Sequence, residues 1–90
     1  MEEKSYKSLC EAISMLETTE ECEQFMRDLC TIGELEDMSD RWEAAQLINK
    51  GMCYREINAK TGISTATITR VAHWIHHGRG GYKLMLERMH

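Results

Sequence analysis

Hydroxyl and cationic side chains are concentrated in one short stretch of this 90-residue chain. Thr65, Thr67 and Thr69 alternate with the small or apolar residues Ala66 and Ile68. Ser64 stands directly before this run and Arg70 directly after it. Hydroxyl and guanidinium groups form hydrogen bonds with polar partners, and arginine also pairs with anions. The stretch therefore predicts reversible recognition of a polar, anionic partner.

Histidines and cysteines offer a second kind of chemistry, metal binding. His73 and His77 stand at i, i+4 spacing, so one helix face could present both rings. Zinc sites need three or four protein ligands, and no C-x-x-C pair occurs among the four cysteines, Cys10, Cys22, Cys30 and Cys53. We expect no metal site and interpret the cysteines as small buried residues of a reducing compartment.

The charges of the chain are unevenly distributed. Residues 1–40 carry 12 acidic and 3 basic side chains, a net charge of -9, whereas residues 41–90 carry 3 acidic and 8 basic side chains, a net charge of +5. Such asymmetry indicates an anionic partner for the basic half, commonly nucleic acid.

Other functional classes are disfavoured by what the sequence lacks. It shows no nucleophile-base-acid set and no glycine-rich phosphate loop, so we expect no enzymatic activity. It has no apolar run of about 18 residues and no signal-peptide pattern at Met1–Lys7, so we expect a cytoplasmic protein with no membrane contact.

The chain contains no proline, and its apolar residues recur at helical spacing. The first half predicts helices over about 5–17 and from Thr18, where Thr18 and Glu21 form a capping box. A short third helix is expected from a second capping box at Thr31 and Glu34, and Ser39 is expected to begin a fourth helix that ends at Gly51.

The second half predicts a helix-turn-helix. A helix over about 53–60 is followed by Gly62, which supplies a turn, and Ser64 caps a second helix that reaches about His76. Ile68, Val71, Ala72 and Ile75 form the apolar stripe of that second helix. The last element of the chain is expected over about 81–90, giving an all-α chain of five to six short helices.

A helix-turn-helix places its second helix in the major groove of DNA. The face opposite the apolar stripe carries Thr65, Ala66, Thr69, Arg70 and His73. Its threonine, alanine and arginine side chains can contact base edges, thymine methyl groups and phosphates. Ser64 begins the helix, where a phosphate can meet backbone N–H groups. Arg55 and Lys60 add sequence-independent, salt-dependent affinity.

Specific residues of this unit resemble the Trp repressor family. The matching positions are Arg55-Glu-Ile, Gly62 and Ala66-Thr-Ile-Thr-Arg70. The resemblance to the small helix-turn-helix proteins of the YerC/YecD type is closer still, and it lies in Gly51-Met-Cys-Tyr-Arg and Ser64-Thr-Ala-Thr-Ile-Thr-Arg. The likeness spans roughly residues 9–89.

This resemblance implies a single domain over 1–90 that forms an intertwined homodimer. Residues of about 1–50 would provide helical dimerisation, about 53–77 the helix-turn-helix and about 81–90 the C-terminal helix. It implies a transcriptional repressor that binds double-stranded DNA at a pseudo-palindromic operator. The DNA-contacting set is expected to be Ser64, Thr65, Ala66, Thr67, Thr69, Arg70, Arg55 and Lys60.

The resemblance also implies a small-molecule co-repressor site, since Arg70 matches an arginine that holds tryptophan in the Trp repressor. A second arginine is replaced by Asp40, with Arg41 adjacent, and the bulky Val71 and Trp74 replace small residues. These departures argue against tryptophan and leave another co-repressor open.

An alternative interpretation is a protein-interaction module. The helix-turn-helix would then dock another protein, with the acidic first half as its working surface. If the protein bound no DNA even at low salt, that alternative would be favoured.

Overall fold

The computed structural model describes residues 1–89, which form α-helices joined by short turns. The helices are α1 Glu3–Ser14, α2 Thr19–Leu29, α3 Ile32–Asn49, α4 Tyr54–Thr61, α5 Thr65–His77 and α6 Gly81–Arg88. No strand occurs in this range. The all-α expectation is confirmed, with six helices, and the terminal residue of the helix expected over 81–90 lies outside the described residues.

The chain divides into two compact units, Met1–Leu35 and Glu36–His90. In the first, Thr18 Oγ1 accepts a hydrogen bond from Glu21 N at 3.0 Å and so starts α2 at the predicted place. Neither α1 nor α2 contains a buried residue. The apolar side chains of these two helices therefore have no closed core within this unit.

The third helix differs from its prediction. Thr31 and Glu34 form the predicted capping box, with Oγ1 of Thr31 accepting from Glu34 N at 3.1 Å and Oε1 of Glu34 accepting from Thr31 N at 2.8 Å. The helix then continues for 18 residues to Asn49, past Ser39. The prediction of a separate helix from Ser39 was wrong, because a serine side chain at a helix start and one within a helix look alike in sequence.

The second unit contains the core. Ala44, Ala45 and Leu47 of α3 pack with apolar residues of α4, the turn and α5, namely Ile57, Ile63, Ile68 and Val71. Ile57, Ile68 and Val71 are the largest fully buried side chains, and each contributes roughly 1.5–3 kcal/mol through removal from water. This core connects the helix-turn-helix to α3.

The aromatic residues lie at the edge of that core. Trp42 of α3 and Tyr82 of α6 have parallel rings with centroids 6.5 Å apart, and both pack against the core residues. Trp74 is 52% exposed in the single chain. It borders a cleft of about 470 Å³ together with Trp42, Tyr82 and Met85.

The cysteines are not the buried residues that the sequence suggested. Cys10, Cys22 and Cys53 are exposed and Cys30 is half-buried, and all four are free thiols. Among the described helices, none is long and apolar enough to cross a bilayer.

Gly62 provides a test of the turn. Its φ of +77° is left-handed and nothing lies within 4 Å of the place that an added Cβ would occupy, so Gly62→Ala adds backbone strain without a steric clash. We expect a loss of about 1 kcal/mol in stability. That corresponds to a Tm lowered by roughly 4–8 °C in thermal denaturation at fixed protein concentration.

Gly81→Ala is the matched control, because Gly81 is helical and equally open but has no positive φ. Its Tm should stay the same or rise slightly. Equal losses in the two variants would contradict the assigned role of Gly62.

Candidate nucleic-acid interface

The start of α5 is built around Ser64. Its Oγ accepts a hydrogen bond from Thr67 N at 3.1 Å and donates to Thr67 Oγ1 at 3.0 Å. The first caps the helix as the sequence predicted. The side chain of Ser64 is thereby held at the helix N-terminus, where the partial positive charge of the helix favours an anion.

Hydrogen bonds that the sequence analysis did not predict close the turn before α5. Asn58 Nδ2 donates to the carbonyl oxygen of Ile63 at 2.8 Å. Thr61 Oγ1 donates to the carbonyl oxygen of Ile57 at 2.7 Å and accepts from Ile63 N at 3.1 Å. The signal available in the sequence was the presence of Asn58 and Thr61 in the last turn of α4, since both residue types bond readily to nearby backbone.

The two sides of α5 have opposite environments. Ile68, Val71 and Ala72 are buried, as predicted, and Ile75 is half-buried. The opposite side exposes hydroxyl, methyl and basic groups, those of Thr65, Ala66, Thr69, Arg70 and His73. The structure therefore brings Thr65, Ala66 and Thr69 together on one accessible surface next to Ser64, which we call the α5 stripe.

Thr67 and Arg70 also face a different neighbourhood. Both line a cavity of about 230 Å³ whose other lining residues are Asp37, Asp40 and Arg41 of α3. Thr67 is half-buried, unlike the residues of the α5 stripe, whereas Arg70 is exposed. Thr67 thus lies on the α3 side of α5, a placement that its position within the threonine-rich run did not reveal.

The two flanking cations lie at opposite ends of α4. Arg55 is exposed in the first turn, and Lys60 is exposed in the last turn. Lys60 borders a cavity of about 320 Å³ with Lys50, Glu43 and Gln46. Arg55 and Lys60 therefore stand five residues apart along α4, and Lys60 shares its cavity with a further cation, Lys50.

The histidine pair is close but does not extend to a metal-ligand set. The ring centroids of His73 and His77 are 4.8 Å apart. The rings of His73 and Trp74 are nearly perpendicular, with centroids 5.2 Å apart. Within residues 1–89, no group of three or more histidine, cysteine, aspartate or glutamate side chains is arranged to hold a metal ion.

These features define a class of fold: a helical chain with a capped helix-turn-helix whose second helix exposes small hydrogen-bonding side chains, the kind of unit that DNA-binding regulators place in the major groove. The chain belongs to the Trp repressor protein family, which matches residues 4–90. That family consists of regulatory DNA-binding proteins and not of enzymes.

Known proteins similar to this chain include YerC, an uncharacterized protein of Bacillus subtilis strain 168. It is 38% identical over 86 residues, which cover 96% of this chain and 83% of YerC. A candidate Trp repressor from Staphylococcus aureus has a similar crystal structure, with a TM-score of 0.90, 41% identity and coverage of 96% of this chain and 86% of that one. The crystal structure of a TrpR-like protein from Eubacterium eligens is also similar, with a TM-score of 0.89 and 37% identity. That match covers 96% of this chain and 89% of the other.

Removal of the Ser64 cap should weaken the second helix of the helix-turn-helix. Ser64→Ala loses the bond to Thr67 N, and we expect a stability loss of about 1 kcal/mol by chemical denaturation. Ser64→Asn should restore most of that loss, because asparagine caps as well as serine. If the denaturant midpoint of Ser64→Ala equalled that of the wild type, this hydrogen bond would contribute nothing to stability.

Proposed function

We propose that this protein is a sequence-specific transcriptional regulator, a repressor, that binds a pseudo-palindromic DNA operator as a homodimer. The observation that carries the proposal is the α5 stripe: Thr65, Ala66 and Thr69 are exposed beside the capped N-terminus of a helix whose other side is buried. Because it acts on DNA, we place it in the cytoplasm.

The α5 stripe suits the major groove. Threonine hydroxyls can bond to base edges, and the methyl groups of threonine and Ala66 can contact thymine. Ser64 and the N-terminal N–H groups of α5 are suited to a phosphate, and the exposed Arg55 and Arg70 supply positive charge. We assign base contacts to Thr65, Ala66 and Thr69, and backbone contacts to Ser64, Arg55, Lys60 and Arg70. Thr67 contributes by holding Ser64 in place.

The homodimer is supported by apolar residues of the first unit that remain exposed in the single chain. Ile13 of α1 is 41% exposed, Leu29 of α2 is 48% and Ile32 of α3 is 59%. Large apolar side chains that stay exposed along amphipathic helices are suited to burial against a partner. A two-fold dimer would cover such a surface with its own copy and would place two α5 helices one DNA turn apart, about 34 Å.

Tryptophan does not suit the cavity beside Arg70 as its co-repressor. Four of the five lining residues are charged, whereas an indole ring needs apolar contacts. Neither Val71 nor Trp74 lines this cavity, since Val71 is in the core and Trp74 borders the aromatic cleft. The charge of the lining, rather than the bulk of those two residues, is the argument against tryptophan.

Specific and non-specific DNA binding should respond differently to two substitutions. An operator is first selected from random duplexes, and its affinity is compared with that of random DNA over a salt series. Thr69→Ala should lower the affinity for the selected operator several-fold and leave random DNA nearly unaffected. Arg55→Ala should weaken both equally and reduce the salt dependence by about two units of slope, one for each copy of Arg55 in the dimer.

Circular dichroism provides the control, since both side chains are exposed and neither variant should lose helix. Wild-type protein that binds no DNA even at low salt would overturn the regulator and favour the protein-interaction alternative.

The dimer has its own test. Ile13→Glu places a carboxylate on the apolar side of α1, and burying that charge unpaired would cost several kcal/mol. We expect sedimentation equilibrium to show a dimer for the wild type and mostly monomer for this variant. Ser8→Glu adds the same charge at another exposed position of α1 and should remain dimeric. A monomeric wild type would contradict the proposal directly.

A further inference from the structure

Two histidines continue the exposed side of α5 beyond the α5 stripe. Successive residues of an α-helix are rotated by about 100°, so the positions of His73 and His77 lie about 20° on either side of the direction of Ala66. Both side chains are exposed, and their ring centroids are 4.8 Å apart. The two imidazoles therefore form a pair on the side of α5 opposite the buried Ile68 and Val71.

The position of this pair along the helix separates it from the base-contacting residues. A recognition helix contacts base edges with its N-terminal residues. At a rise of about 1.5 Å per residue, His73 and His77 lie about 10 and 16 Å beyond Ala66 along the axis of α5. The major groove is only about 12 Å wide, and phosphates border it. With Ala66 at the bases, we expect the histidine pair at the rim of the groove, beside the sugar-phosphate backbone.

The sequence around the pair carries positive charge. Residues 57–86 contain no aspartate or glutamate, but they contain four cations, Lys60, Arg70, Arg79 and Lys83. Arg70 lies one turn before His73 on α5, and Arg79 follows His77 by two residues. Positive neighbours disfavour the protonated form of an imidazole, whereas a phosphate favours it. DNA would therefore supply the negative charge that this part of the chain lacks.

Carboxylates of the neighbouring helices lie beside other groups. Asp37 and Asp40 of α3 border the cavity of Arg70, and Glu87 of α6 borders a separate cavity with His76. Within residues 1–89, the histidine pair forms no ion pair with a carboxylate. His76 thus has a different neighbourhood from the pair, although it lies on the same helix.

We propose that His73 and His77 contact a DNA phosphate in protonated form, so that DNA binding takes up protons and strengthens as the pH falls. This inference rests on the proposed DNA-binding function. One proton per pair is sufficient, because a phosphate that accepts a hydrogen bond from an imidazolium can also accept one from the N–H of the neighbouring neutral ring. A second proton on the pair would be disfavoured by repulsion between the two rings.

The direction of the pH dependence follows from linkage. Imidazole is the side chain whose charge ordinarily changes between about pH 5 and pH 8. A proton that is held more tightly in the DNA complex than in the free protein raises the affinity for DNA at low pH. That gain is lost as the pH rises past the point at which the imidazole in the complex releases its proton.

The affinity of the full chain for a duplex is measured between about pH 6 and pH 8, the range in which histidine titrates. Ionic strength is held constant, and EDTA is present so that no metal ion can bridge the two rings. We expect the dimer to bind at least about tenfold more tightly at the lower pH, because one proton per chain with a tenfold preference for the complex gives at most about a hundredfold. Circular dichroism should show the same helix content throughout.

The double variant His73→Gln, His77→Gln removes both imidazoles and retains polar side chains that favour a helix. It should lose most of the pH dependence, and each single variant should lose part of it. His76→Gln is the matched control, because His76 is an equally exposed imidazole of the last turn of α5, and it should keep the full dependence. Full dependence in the double variant, or an equal loss in the control, would contradict the assignment to the pair.

Proton uptake can also be followed directly by NMR titration of the histidine ring C–H resonances. With DNA bound, the resonances of His73 and His77 should titrate at a higher pH than in the free protein, and their displacement should exceed that of His76. DNA binding with an affinity that does not change with pH would overturn this inference and leave the proposed function standing. Absence of DNA binding at every pH, even at low salt, would overturn the proposed function and this inference with it.

Discussion

Burial of one side of α5 is the constraint on which the arrangement of the second unit depends. Ile68 and Val71 are fully buried and pack with Ile57 of α4 and with Ala44 and Ala45 of α3, both of which are inaccessible to solvent. The two alanines have short side chains, so the backbone of α3 can lie close to the core. Because the buried residues set the rotation of α5 about its axis, they also determine which threonines face solvent.

That rotation gives neighbouring threonines different environments. Thr69 is exposed on the α5 stripe, whereas Thr67 is half-buried and borders the charged cavity next to α3. The two are only two residues apart, but that separation rotates about 200° around a helix of 3.6 residues per turn. A single helix thus has two chemically different surfaces, one exposed to solvent and one beside the charged side chains of α3.

Local signals were sufficient to predict much of the fold. The capping residues Thr18, Thr31 and Ser64 each bond to backbone N–H groups three residues on, and Gly62 has the left-handed conformation that a turn requires. Sequence reasoning could not predict the charged cavity, because Asp37 and Arg70 are far apart in the chain and meet only through packing. Exposure of the cysteines was also missed, because a thiol is compatible with either environment.

The positions of the two tryptophans determine what optical spectroscopy of this chain can report. Trp42 and Trp74 are its only tryptophans, and both border the same cleft in the second unit. Tryptophan fluorescence therefore arises from a single neighbourhood, which also includes Tyr82 and Met85. Emission will follow the melting or covering of that cleft, while fraying of α1 and α2 will leave the signal unchanged unless it alters the cleft.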